Sequence, residues 1–141
     1  MEFAEKINFE LKRAERYRCF VSLIVFNIGP VMDLSINGSA AGAEKRRDFM
    51  DRVSQLVRHS VREVDTVSNS SRPRIGLLLP ETSRQGAEAA ARRVVEALAK
   101  FCHDYFNESN DDCLVPIEIS SFPDAAGARS VTSYSEEFSG N

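Results

Sequence analysis

The chain has no tryptophan, two histidines and three cysteines in 141 residues, and each scarcity removes a class of function. Cys19, Cys102 and Cys113 form an odd set without Cys-x-x-Cys or Cys/His ligand spacing, so neither a disulfide framework nor a structural zinc site is indicated. They read as free thiols in a reducing cytoplasm. His59 and His103 have no nucleophile or further ligand at useful spacing and read as surface residues on helices. No apolar run approaches the roughly 20 residues that cross a bilayer, and the start Met1-Glu-Phe-Ala-Glu-Lys6 is charged and amphipathic rather than secretory. A cytoplasmic protein without membrane contact is expected. A strong basic bias is also missing: the formal charge of -3 argues against a chain built to coat nucleic acid.

What is present suits one domain, because 43% hydrophobic content over this length supports one real core and not two. Phe3, Ile7, Leu11 and Ala14 recur at helical spacing, predicting an amphipathic helix to about Arg16. Phe20 to Ile28 is a nearly continuous run rich in Val, Ile and Phe, the pattern of a strand covered on both faces. Gly29-Pro30 stops it, and a short helix and a loop are expected before about Gly42. A long helix follows from Ala43 to near Val64, with Phe49, Met50, Val53, Leu56, Val57 and Val61 on one face.

Val64 to Ser68 and Arg74 to Leu79 then predict a hairpin around the polar turn Asn69-Ser-Ser-Arg-Pro73. Thr82 or Ser83 can cap the next helix, which buries Ala87, Ala90, Ala91, Val94, Leu98 and Phe101. Leu114 to Ser121 reads as the last strand. Residues 125–141 are Ser-rich and read as an irregular tail with room for partial disorder, after a domain spanning 1–124. The fold class expected is α+β, an antiparallel-rich sheet covered by helices.

Several segments resemble GGDEF domains, the diguanylate cyclases. Phe9-Glu-Leu-Lys-Arg-Ala-Glu-Arg-Tyr17 is similar to the family's opening helix, and Ser22-Leu-Ile-Val-Phe-Asn-Ile-Gly29 to the strand that normally finishes Asp-Ile-Asp. Leu78-Leu-Pro-Glu-Thr82, with Gly86-Ala87 and Ala91-Arg-Arg-Val94, resembles the strand exit and helix after the signature, and Ile117-Glu-Ile-Ser-Ser-Phe-Pro-Asp124 the following strand and turn. The resemblance covers most of residues 3–124 and implies a nucleotide-cyclase-like, ferredoxin-like scaffold. The family's closing Ala-Asp-x-x-Leu-Tyr-x-Ala-Lys helix finds no counterpart in the sequence.

The signature itself is absent. Ser71-Arg72-Pro73-Arg74-Ile75 stands where Gly-Gly-Asp-Glu-Phe belongs, Asn27 falls at the first Asp of Asp-Ile-Asp, and Gly29 falls at the second. The resemblance implies that cyclases hold divalent metal through these carboxylates, since hard cations take oxygen anions. With the acids gone and Arg74 in their place, metal is expected to be repelled, and Ser71-Arg72 removes the glycines that let backbone approach a phosphate. No Asn-Asp or Gly-Asp pair for guanine occurs between Gly29 and Phe49. The reading is therefore no cyclase activity, no metal and no cofactor.

One constellation matches a different part of the family. Arg62-Glu-Val-Asp65 corresponds to the Arg-x-x-Asp motif of the inhibitory site, and Arg93 aligns with the helix arginine that completes it. The resemblance implies cyclic di-GMP as ligand: an Arg fork reads guanine O6 and N7, a carboxylate accepts from N1 and N2, and a second Arg meets phosphate. Arg and Asp three apart equally form a local surface ion pair worth at most about 1 kcal/mol, with Arg93 merely solvated. Two functions stay open: a cyclic di-GMP receptor using Arg62, Asp65 and Arg93, or a ligand-free pseudo-enzyme that binds a protein partner or forms a homodimer. Residual GTP binding through Arg72 or Arg74 ranks third.

Overall fold

A computed structural model describes residues 2–35, 42–68, 73–106, 115–123 and 130–138. In chain order these form α1 (Phe3–Tyr17), β1 (Val21–Asn27), α2 (Gly29–Ser35), α3 (Gly42–His59), β2 (Thr66–Val67), β3 (Arg74–Pro80), α4 (Arg84–Phe106) and β4 (Ile117–Phe122). A single 3-10 turn, Val131–Ser133, leads into α5 (Tyr134–Glu137). The sheet is antiparallel throughout, in the order β2-β3-β1-β4.

β1 sits between two partners and is buried on both faces, so its apolar run has no polar alternation. Ile24 and Phe26, with Ile75, Leu77 and Leu79 of β3, face α3 and α4 in the larger core. Val21, Leu23 and Val25, with Leu78, face α1 and the chain end in the smaller one. Each such side chain contributes about 1.5–3 kcal/mol through burial. The polar exception, Ser22, is satisfied: its hydroxyl donates to the Thr82 carbonyl at 2.7 Å and lies 2.8 Å from the Ser121 hydroxyl across the strands.

Three boundaries depart from the sequence reading. α3 ends at His59 rather than near Val64, because the Ser60 hydroxyl bonds back to the Leu56 carbonyl at 2.8 Å and Asp65 captures the Arg62 backbone N–H at 2.9 Å. β2 is correspondingly short, although the Ser68 hydroxyl accepts the Gly76 N–H at 2.8 Å and extends the pairing by one residue. β4 starts at Ile117, after Pro116, which has no N–H for the ladder but whose carbonyl accepts the Asn27 N–H at 2.9 Å. Ser83, not Thr82, caps α4: its hydroxyl accepts the Gly86 N–H and its carbonyl the Ala87 N–H.

The fourth departure is the tail. Residues 131–138 are not irregular; Val131, Tyr134 and Phe138 are buried against α1 at spacings of three and four residues. The serine-rich composition conceals that helical spacing. Phe138 packs edge-on against Phe3, with ring centroids 4.9 Å apart at 68°. Both rings lie over Gly76 of β3, where an added Cβ would sit 2.7 Å from Phe3 and 2.8 Å from Phe138. Tail residues 125–129 and 139–141 lie outside the described residues.

Gly76→Ala should therefore push the Phe3–Phe138 pair off the sheet. A loss of about 1–3 kcal/mol is expected, with amide protection falling first at 134–138 in hydrogen exchange. Uniform loss across the sheet would show that the rings do not seat the tail.

Candidate functional site

Asn27 and Arg74 are register partners where β1 and β3 end, so the substituted metal and signature positions do converge in space. Ser71 and Arg72, the other two substituted signature positions, lie outside the described residues. Asn27 Oδ1 accepts the Gly29 N–H at 3.1 Å and turns the chain into α2; the Ile28 N–H is held by the Pro73 carbonyl at 2.7 Å. A neutral amide and a glycine supply no anion here.

Arg74 is not the free cation that the sequence suggests. Its Nε donates to Glu137 Oε2 at 3.0 Å, and its Nη2 to Glu118 Oε2 at 2.8 Å and Glu137 Oε1 at 3.2 Å. Tyr134 donates its hydroxyl to the same Glu118 oxygen at 3.3 Å. Burial opposes the charge on Arg74, but the hydrogen bonds to Glu137 and then Glu118 outweigh it and raise its pKa. The guanidinium thus gathers one carboxylate from β4 and one from α5. A divalent cation does not fit this donor set, because the carboxylates near the strand ends are already bridged by a permanent cation. Among the described residues no group of three His, Cys, Asp or Glu side chains could hold a metal ion.

The Arg-x-x-Asp pair is a second converging set. Asp65 Oδ2 accepts from the Arg62 backbone N–H at 2.9 Å and from Nε at 3.3 Å, and Oδ1 accepts from Nη2 at 2.9 Å. Nη2 also reaches the Pro80 carbonyl at 3.1 Å and Thr82 Oγ1 at 2.8 Å. The pair therefore fastens the α3–β2 turn to the β3–α4 turn, where Glu81 adopts a positive φ of 51°. The Asp65 side chain is 3% exposed and the Arg62 side chain 54%. The hydrogen bond to Asp65 is the main cause that raises the Arg62 pKa. Arg93 stands exposed on α4, and no hydrogen bond or ion pair joins it to Arg62 or Asp65.

The sequence reading missed a third feature. A groove of about 720 Å³ runs between α2 and α3 and meets Pro73 at one end. Buried Met32 and Met50 form apolar walls, while Arg47, Asp51 and Arg58 line the α3 side. The spacing Arg47, Asp51, Ser54, Arg58 marks one helix face in the sequence, but only α2 and Pro73 turn that face into a groove. Arg46 at the same wall is ion-paired with Asp33 of α2.

Arg62→Ala should leave the buried Asp65 carboxylate short of partners and cost about 1–3 kcal/mol in urea unfolding. Arg62→Lys should recover only part of that loss, because an ammonium cannot reproduce the fork. A neutral result for Arg62→Ala would show that the pair holds nothing together.

No family model matches the chain, and no curated protein matches it in sequence. Its fold does match solved structures. The diguanylate cyclase SiaD of Pseudomonas aeruginosa, solved in complex with its activator SiaC, superposes with a TM-score of 0.67 at 12% identity over 96% of this chain. The chain spans 49% of that protein's length. The active GGEEF domain of a Vibrio cholerae diguanylate cyclase gives 0.61 at 18% identity, over 83% of this chain and 71% of that one. The GGDEF domain of YfiN from P. aeruginosa gives 0.65 at 18% identity, over 86% and 73% respectively. The antiparallel four-stranded sheet and its helices thus have the fold of GGDEF diguanylate cyclase domains.

Proposed function

We propose that this chain is a non-catalytic signalling domain on a cyclase fold, acting through contact with another protein. The observation that carries the reading is the pairing of Asn27 with an Arg74 already bound to Glu118 and Glu137. Joining two nucleoside triphosphates needs cations to offset the charge developing on phosphate. The positions that resemble metal ligands hold an amide and a neutralised guanidinium, which supports inactivity. The complex of SiaD with its activator is a precedent for protein contact on this fold.

Cyclic di-GMP binding through Arg62, Asp65 and Arg93 is the second reading. Its support is the half-exposed Arg62 fork, whose Nη1 takes no part in the bonds to Asp65, Pro80 and Thr82. Against it, the Asp65 oxygens already accept three internal hydrogen bonds, so guanine would have to displace them. The protein-contact reading requires no such rearrangement.

Incubation with GTP and Mg²⁺, followed by chromatography of the nucleotides, should give no cyclic dinucleotide; turnover would overturn the non-catalytic reading. Calorimetric titration with cyclic di-GMP should give no heat. Micromolar binding that disappears in Arg93→Ala, a surface change that spares the Arg62–Asp65 pair, would establish the receptor instead.

A further inference from the structure

We infer that the groove between α2 and α3 takes an extended acidic segment of a partner protein, with carboxylates alternating with apolar residues. The inference rests on the protein-contact reading and names the partner's chemistry. Arg47 and Arg58 are both exposed, and neither is ion-paired with another described residue. Arg46 differs, since Asp33 already neutralises it. The groove therefore offers two unneutralised cations on one wall, beside the apolar surface of Met32, Met50 and Pro73.

Spacing decides between a compact anion and an extended one. Arg47 and Arg58 are three helical turns apart, roughly 16 Å along the axis of α3. One phosphate cannot reach both, whereas about five residues of extended peptide span that length. Asp51 lies between them on the same wall and repels an unbroken run of negative charge, but its carboxylate can accept peptide N–H groups. Among the described residues the groove end offers no phosphate cradle, because Pro73 has no backbone N–H and its carbonyl is held by Ile28. Two separated cations, an acceptor between them and an apolar floor match alternating acidic and apolar side chains on one strand-like segment.

Fluorescence anisotropy with a labelled (Glu-Leu)4 peptide tests this on the full chain, with (Lys-Leu)4 as the charge-reversed probe and GTP, with and without Mg²⁺, as competitor. The acidic peptide should bind at least tenfold more tightly than the basic one, weaken as salt rises, and lose at least tenfold in affinity in the Arg47→Glu/Arg58→Glu double variant. Lys12→Glu, on exposed α1, should leave binding unchanged. Equal affinity for both peptides, an unaffected double variant, or displacement by GTP below the peptide's own dissociation constant would overturn the inference. The non-catalytic reading fails separately, in the turnover assay.

Discussion

Burial of β1 on both faces is the constraint from which the rest of the architecture follows. A strand with Leu23, Ile24 and Phe26 fully inaccessible needs a partner on each edge and a helical layer on each face. α3 and α4 cover one face through a core that includes Phe49, Val53, Ala91 and Leu98. α1 covers the other, but its contact face, Ala4, Ile7, Leu11 and Ala14, is narrow and made partly of small residues. The chain end completes that layer with Val131, Tyr134 and Phe138. Residues 131–138 thus belong to the core, although none of them joins a strand.

Charge then fixes what burial leaves loose. Hydrophobic contact is non-directional and does not specify where a four-residue helix docks. The Arg74 fork does: it binds Glu137 through two nitrogens and Glu118 through one, setting the angle of α5 against the end of β4. Where a metal would have to be loaded before it could gather carboxylates, a guanidinium is always charged and always present. Where the resemblance places acids, this corner holds a cation that draws two distant carboxylates together.

How much of this was legible in the sequence depends on the range of the interaction. The uninterrupted run around β1 and the 3.6-residue period of α1 and α4 are local signals, and those elements stand where the signals place them, whereas the expected turn at 69–72 lies outside the described residues. The end of α3 was misplaced because Val61 and Val64 continue the apolar period, while the force that breaks the helix is a side-chain bond from Asp65 to the Arg62 backbone. Val64 is 63% exposed as a result. The partners of Arg74 lie 44 and 63 residues away, and no spacing rule announces a pair at that distance. The groove on α3 was hidden for the same reason: a stripe of charge on a helix reads as solvated until another element faces it.

The two arginine arrangements show why identical residue types do different work on one scaffold. Arg62 bonds a carboxylate three residues away and two groups across a turn, so its motif behaves as a fastener whether or not a ligand ever arrives. Arg47 and Arg58 have the same side chain, yet neither forms an ion pair with another described residue. A guanidinium already paired with a buried carboxylate and two further protein acceptors gains less from a new anion, because part of its charge is already met. An unneutralised one gains the full charge-assisted interaction. On that ground the recognition surface we propose is the groove between α2 and α3, which ends at the altered signature position Pro73, rather than the motif that resembles the family's inhibitory site.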